Sequence, residues 1–127
     1  ATALVRQTQR AMEAHPESKM HAVVAGSGRV TGRTAFDAMR MGDETAQKVV
    51  DAYIGYIACG LTNMINIFQP EVLCIGGGIC NEGETLLKPL RTIIERDRYS
   101  KYCARQTKLC VATLGNDAGI IGAAFLA

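Results

Sequence analysis

Glu71-Val72-Leu73-Cys74-Ile75-Gly76-Gly77-Gly78-Ile79 is a short apolar run, opened by Pro70, that stops at three consecutive glycines. A few β-prone residues held between a proline and a glycine cluster read as a buried strand of the central parallel kind, entering a tight turn. Three glycines remove every Cβ from that turn, so a phosphate or a flat ligand can approach the backbone, and positive φ angles carry no steric penalty. A nucleotide loop and a plain strand-to-helix turn both fit this pattern, because a glycine cluster alone is a weak signal. The flanking residues must decide.

Upstream, Asp43 is placed to cap a helix over 43–68, in which Val49, Val50, Tyr53, Ile54, Ile57, Ala58, Leu61, Met64, Ile65 and Phe68 keep helical spacing throughout. Gly55 and Gly60 each weaken such a helix by about 1 kcal/mol relative to alanine, which predicts close packing of another backbone there. Downstream, Leu86, Leu87, Leu90, Ile93 and Ile94 give a second amphipathic helix within 81–98. Pro89 is cheap only in a first turn, so the regular part is expected from near Thr85. The charged residues over 91–105 read as a solvated face.

Residues 107–112 read as a second strand. Leu114-Gly115-Asn116-Asp117-Ala118-Gly119-Ile120-Ile121-Gly122-Ala123-Ala124-Phe125-Leu126 is then a glycine turn opening a helix that is apolar nearly all round, and so expected to be buried. The order strand, helix, strand, helix predicts adjacent parallel strands joined by a right-handed crossover. Both glycine turns leave the carboxyl ends of their strands on one edge, where ligands of open α/β folds collect. Gly76, Gly77 and Gly78 would thus share a crevice with Gly115, Asn116 and Asp117, beside helix amino termini that offer free amides and partial positive charge. Asp117 admits two roles, a helix cap or a polar contact to a ligand or its water.

Before the long helix, Thr2 to Ala14 has amphipathic helical spacing that ends near His15-Pro16. Residues 15–32, which mix Pro16, Ser18 and three glycines (Gly26, Gly28 and Gly32), read as a loop with a short strand at the apolar island 22–25. Gly26-Ser27-Gly28 reads as a surface turn, since nothing helical follows it directly. Thr34-Ala35-Phe36-Asp37 has the form of a capping box, opening a short helix that Gly42 ends.

With 127 residues, 48% of them hydrophobic, the chain suits one compact domain and is too short for two. A net charge of +2 without a strong basic cluster argues against nucleic-acid binding. Five cysteines, Cys59, Cys74, Cys80, Cys103 and Cys110, form no Cys-x-x-Cys pair and lie beside neither His15 nor His21. They read as buried reduced thiols of a cytoplasmic protein rather than disulfides or a metal site. No apolar run is long enough to span a membrane and the first residues are no signal peptide, so a soluble chain is expected. It begins at Ala1 without methionine, consistent with a piece of something longer.

The stretch from Phe68-Gln69-Pro70-Glu71 to Ile79, the helix through Leu86, and the closing Leu114-to-Ala124 segment together resemble the carboxyl-terminal part of ROK-family sugar kinases, bacterial glucokinases in particular. The similarity is strong over 43–127 and weaker before. It implies that residues 1–127 are a single partial domain of α/β class, helix-rich with a small parallel sheet, part of an actin-like, ribonuclease H-like ATPase. It implies ATP and Mg²⁺ as cofactors and a hexose as substrate, and it matches Gly76, Gly77 and Gly78 to the family's nucleotide glycines. Gly115, Asn116, Asp117 and Gly119 match its last turn. The family's phosphate-binding motif, catalytic aspartate, sugar-contacting glutamate and zinc motif would all precede Ala1, so no catalytic and no metal-binding residue is assigned within the chain. A kinase piece, inactive alone, is the first expectation. A sugar-sensing ROK repressor, which carries an amino-terminal helix-turn-helix, and a structural or dimerising module are the alternatives. The resemblance, with the unpaired sheet edge such a piece leaves, also implies a homo-oligomer.

Overall fold

The computed structural model describes residues 2–114 and 117–126, and of Ala118 the backbone alone. The chain divides into two compact units, Ala1–Tyr56 and Ile57–Ala127.

The first unit is helical: α1 (Thr2–Ala14), α2 (Met20–Ser27), α3 (Thr34–Arg40) and the first half of α4 (Glu44–Phe68). Helix α1 takes the expected span, burying Leu4, Thr8 and Met12 along one stripe. Helix α2 corrects the reading of 15–32 as loop with a strand at 22–25. The device that starts it is remote in sequence. Ser18 Oγ accepts from the Met20 amide at 3.2 Å and donates to Asp43 Oδ2 at 2.7 Å, and the Lys19 amide donates to the same carboxylate. Gly28, at φ 75°, closes the helix in the left-handed conformation, its amide bonded to the Val24 carbonyl.

The same Asp43 caps α4, as expected, accepting from the Ala46 amide at 2.8 Å. One buried carboxylate therefore serves two helix starts. Burial of the group pushes its pKa up, but hydrogen bonds from Ser18 and the Ala46, Lys19 and Thr45 amides outweigh this and hold it below the ordinary carboxylate value. Helix α3 ends at Gly42, with φ 78°. Its capping box is not formed: Thr34 is the first helical residue, and its hydroxyl accepts from the Thr31 amide behind it. Phe36, Ala35, Ala38, Ala46 and Val50 are fully or almost fully buried.

The second unit contains the end of α4, strands β1 (Val72–Ile75) and β2 (Lys108–Val111), a one-turn 3-10 helix at Gly78–Glu82, α5 (Glu84–Asp97) and α6 (Ala118–Ala124). The strands are parallel, in register from Val72 with Lys108 to Ile75 with Val111. The ladder is extended at each end by Lys108 N to Glu71 O at 2.9 Å and Ala112 N to Ile75 O at 2.8 Å. This is the helix-rich α/β arrangement with a small parallel sheet that the sequence predicts. Strand β1 is nevertheless not the buried central strand expected, since its residues alternate between exposed and half-buried. Among the described residues β2 is its one neighbour, so only the face of Leu73 and Ile75 is turned inward.

Helix α5 buries Leu86, Leu87, Leu90 and Ile94, and starts one residue before the position Pro89 suggested. Three further expectations fail. Among the described residues, nothing beyond the helix's own backbone and the adjoining residues lies within 4 Å of a Cβ built at Gly55 or Gly60, so no other described backbone packs there. Met64 and Phe68, on the apolar register of α4, are 46% and 67% exposed. Helix α6 is open rather than buried, with Ile120, Phe125 and Leu126 largely exposed. At seven residues it is too short to wrap an apolar surface, and nothing among the described residues covers it.

Candidate functional site

Parallel pairing in register brings the ends of β1 and β2 to one edge, and there the chain makes a cavity of about 200 Å³ lined by Gly76, Gly77, Gly78, Cys80, Asn81, Val111 and Ala112. Each of the three glycines plays a different part. Gly76 lies over the neighbouring strand, where an added Cβ would meet Ala112 Cβ at 3.7 Å, an ordinary contact. Gly77 turns the chain with φ 96° and ψ 166°, a conformation left essentially to glycine. Gly78 opens the 3-10 turn without a positive φ, and a Cβ on it would meet no atom within 4 Å. Space next to bare backbone is what an approaching flat or anionic group needs.

The turn after Gly77 is held by Cys80 N to Gly77 O at 3.0 Å and Gly83 N to Cys80 O at 3.1 Å. It is this 3-10 turn, rather than the start of an α-helix, that follows the glycines directly. Burial pushes the Cys80 thiol up, so it faces the cavity as a neutral wall and not as a nucleophile at neutral pH. No carboxylate among the described residues lines the cavity. Among the described residues no group of three or more His, Cys, Asp or Glu could hold a metal. The described residues therefore do not fit the Mg²⁺ ion that would accompany ATP, whereas the Cβ-free turn fits part of the nucleotide itself.

Of the second glycine turn, Gly115 and Asn116 lie outside the described residues. Asp117 sits at the start of α6, exposed, and its side chain makes no capping hydrogen bond. It is not among the residues lining the cavity. Asn81, Val111 and Ala112 are wall residues that the sequence reading did not single out. Val111 and Ala112 were legible in principle, because the end of a strand paired in register with β1 must stand beside Gly76.

A larger cavity, about 540 Å³, opens at the other end of the sheet between Gln69, Pro70, Glu71, Arg105, Gln106 and Thr107. Several of its polar groups are engaged: Gln106 Nε2 donates to the carbonyls of Ser100, Lys101 and Cys103, Thr107 Oγ1 donates to Pro70 O, and Arg105 lies 3.6 Å from Glu71, while the buried Gln106 Oε1 has no hydrogen-bond partner among the described residues. It is at the amino ends of the strands, opposite the edge at which open α/β sheets bind ligands. No described helix is long and apolar enough to cross a membrane.

Comparison with known proteins adds a family to this geometry. The family model described as ROK matches residues 2–127. A glucokinase of Halalkalibacterium halodurans is 34% identical over 126 residues, which is 99% of this chain and 38% of that protein. A glucokinase of Thermotoga maritima is 32% identical over 124 residues, 98% of this chain and 39% of that protein. Among solved structures, a ROK family glucokinase from Streptomyces griseus, in complex with glucose and AMPPNP, superposes with a TM-score of 0.78 at 30% identity, covering 99% of this chain and 41% of that one. The chain thus has part of an actin-like ATPase fold, and spans about two fifths of the length of the proteins it matches.

Proposed function

Because the chain belongs to the ROK family, we propose that it is the carboxyl-terminal, nucleotide-holding part of an ATP-dependent hexose kinase. The reaction is glucokinase-like, ATP and glucose giving ADP and glucose 6-phosphate. Residues 1–127 form one partial domain of that enzyme, its two compact units being parts of it. The observation that carries the reading is the Cβ-free turn at Gly77 and Gly78, open at the carboxyl edge of the parallel strands. The solved glucokinase that this chain resembles was captured with an ATP analogue and glucose, which supports ATP as the nucleotide and a hexose as the acceptor.

Gly76, Gly77 and Gly78 would approach the adenosine side of ATP, and family resemblance assigns Gly115, Asn116 and Asp117 to the same nucleotide. Backbone amides there contribute about 0.5 to 1.5 kcal/mol per hydrogen bond to a ligand that stays half in water, so binding by the chain alone is weak. Phosphoryl transfer further needs a general base, a sugar clamp and Mg²⁺ ligands, and the described residues at the cavity offer none of these. The chain alone is inactive on this reading. By the same reading it works in the cytoplasm; it also associates with itself, which the apolar side chains left open at Ile67, Phe68, Ile120 and Phe125 support. A coupled ADP-release assay with glucose tests the proposal, with no turnover expected from residues 1–127 and turnover from the whole kinase. Equal rates from the two would overturn it.

A further inference from the structure

We propose that Cys74 and Cys110 form a reversible thiol–disulfide site on the open face of the two-stranded sheet. The two residues are direct partners in the parallel register. Neighbouring strands lie about 4.8 Å apart, inside the Cα separations of roughly 4.4 to 6.8 Å that a disulfide accepts. Their sulfurs stand 3.1 Å apart, already in contact, with both thiols free. Closing the bond therefore takes side-chain rotation and about 1 Å of approach, not a rearrangement of the strands.

Access is also present. Cys74 is exposed and Cys110 half-buried, on the sheet face opposite the inward Leu73 and Leu109. The remaining cysteines differ: Cys80 is buried, and Cys59 and Cys103 are exposed without a cysteine neighbour among the described residues. The hydrogen bond shared with Cys110, together with desolvation and the charge of the neighbouring sulfur, raises the Cys74 thiol above its ordinary value.

The oxidant class is a peroxide. One thiol gives up its proton and the thiolate attacks a peroxide oxygen of hydrogen peroxide; the O–O bond breaks, a sulfenic acid forms, and the departing hydroxide takes up that proton to leave as water. The second thiolate then displaces the sulfenic oxygen, which leaves as water after taking up a proton, and the S–S bond forms. In sum two thiols and one hydrogen peroxide give one disulfide and two waters, with two electrons passing from sulfur to oxygen. The bridge would tie β1 to β2 two residues ahead of Gly76 and Ala112, both of which line the cavity. The proposal stands whatever that cavity holds.

The test is to treat the folded chain with hydrogen peroxide, block remaining thiols, digest without reductant and map linked peptides by mass. Expected are the loss of two titratable thiols, one dominant link joining Cys74 to Cys110, and full reversal by dithiothreitol. In Cys110→Ser, Cys74 should stop at the sulfenic acid and be trapped by dimedone. A variant keeping only Cys74 and Cys110 should form the same link, with circular dichroism confirming its fold. The proposal is overturned if the link is missing from wild-type protein, or if it forms no more often than links through Cys59 or Cys103. It is equally overturned if the link forms as readily in urea as in the folded chain.

Discussion

Replacing Gly77 by alanine tests whether the turn at the cavity is built on one strained position or merely on a glycine-rich composition. At φ 96° and ψ 166° this residue occupies a region that costs a residue with a Cβ about 1 to 3 kcal/mol. If the variant relaxes instead by rotating φ, the hydrogen bond from Cys80 N to Gly77 O at 3.0 Å is the first to go, and that bond is worth about 0.5 to 1.5 kcal/mol. The loss of unfolded-state freedom returns about 0.4 to 1 kcal/mol in either case. A net destabilisation of up to about 2 kcal/mol follows. Gly78→Ala is the control, because its φ is not positive and a Cβ there meets nothing within 4 Å; it should be neutral or slightly stabilising. Urea denaturation followed by far-ultraviolet circular dichroism measures both. Equal midpoints for the two variants, or a larger loss at Gly78, would refute the reasoning.

Asp43→Ala removes the acceptor of Ser18, Lys19 and Ala46 at once; a lost cap with an orphaned buried hydroxyl should cost about 2 to 4 kcal/mol in denaturant melts, whereas Asp43→Asn, which keeps one acceptor oxygen, should cost less. Since the folded-state pKa of Asp43 lies below its ordinary value of 3.8, its contribution is full above that value and is lost as pH falls through the folded pKa; acid titration of wild type against Asp43→Ala should show the gap closing there, and a constant gap down to the acid limit would contradict it. Sedimentation at micromolar concentration should show a homo-oligomer, and a clean monomer would count against association through the open apolar faces.

Local signals made much of this fold readable. The period of α1, the cap and long stripe of α4, and the apolar run ending at Gly76 each depend on residues within a few turns of one another. Helix α2 was missed because its start is fixed by Asp43, twenty-odd residues on, and a polar partner at that distance leaves no local trace. Burial was overestimated for β1 and α6 for a related reason: apolar composition states what a segment can bury, not what is there to cover it. At the cavity the glycines were visible by composition, but only the fold separates Gly77, which needs its conformation, from Gly78, which does not. Cys74 and Cys110 looked unrelated at their separation of 36 residues until register placed them side by side.

The central claim is that nucleotide approaches the bare backbone at the carboxyl edge of the parallel strands. Amide NMR of the isotope-labelled chain during titration with AMPPNP tests it most directly, since the reporters are the backbone groups themselves. The account predicts weak, saturable shifts concentrated at Gly76, Gly77, Gly78, Asn81 and Ala112, and absent or much reduced in Gly78→Val. Shifts gathered instead around Gln69, Arg105 and Gln106, or no movement of the glycine amides at millimolar nucleotide, would contradict it.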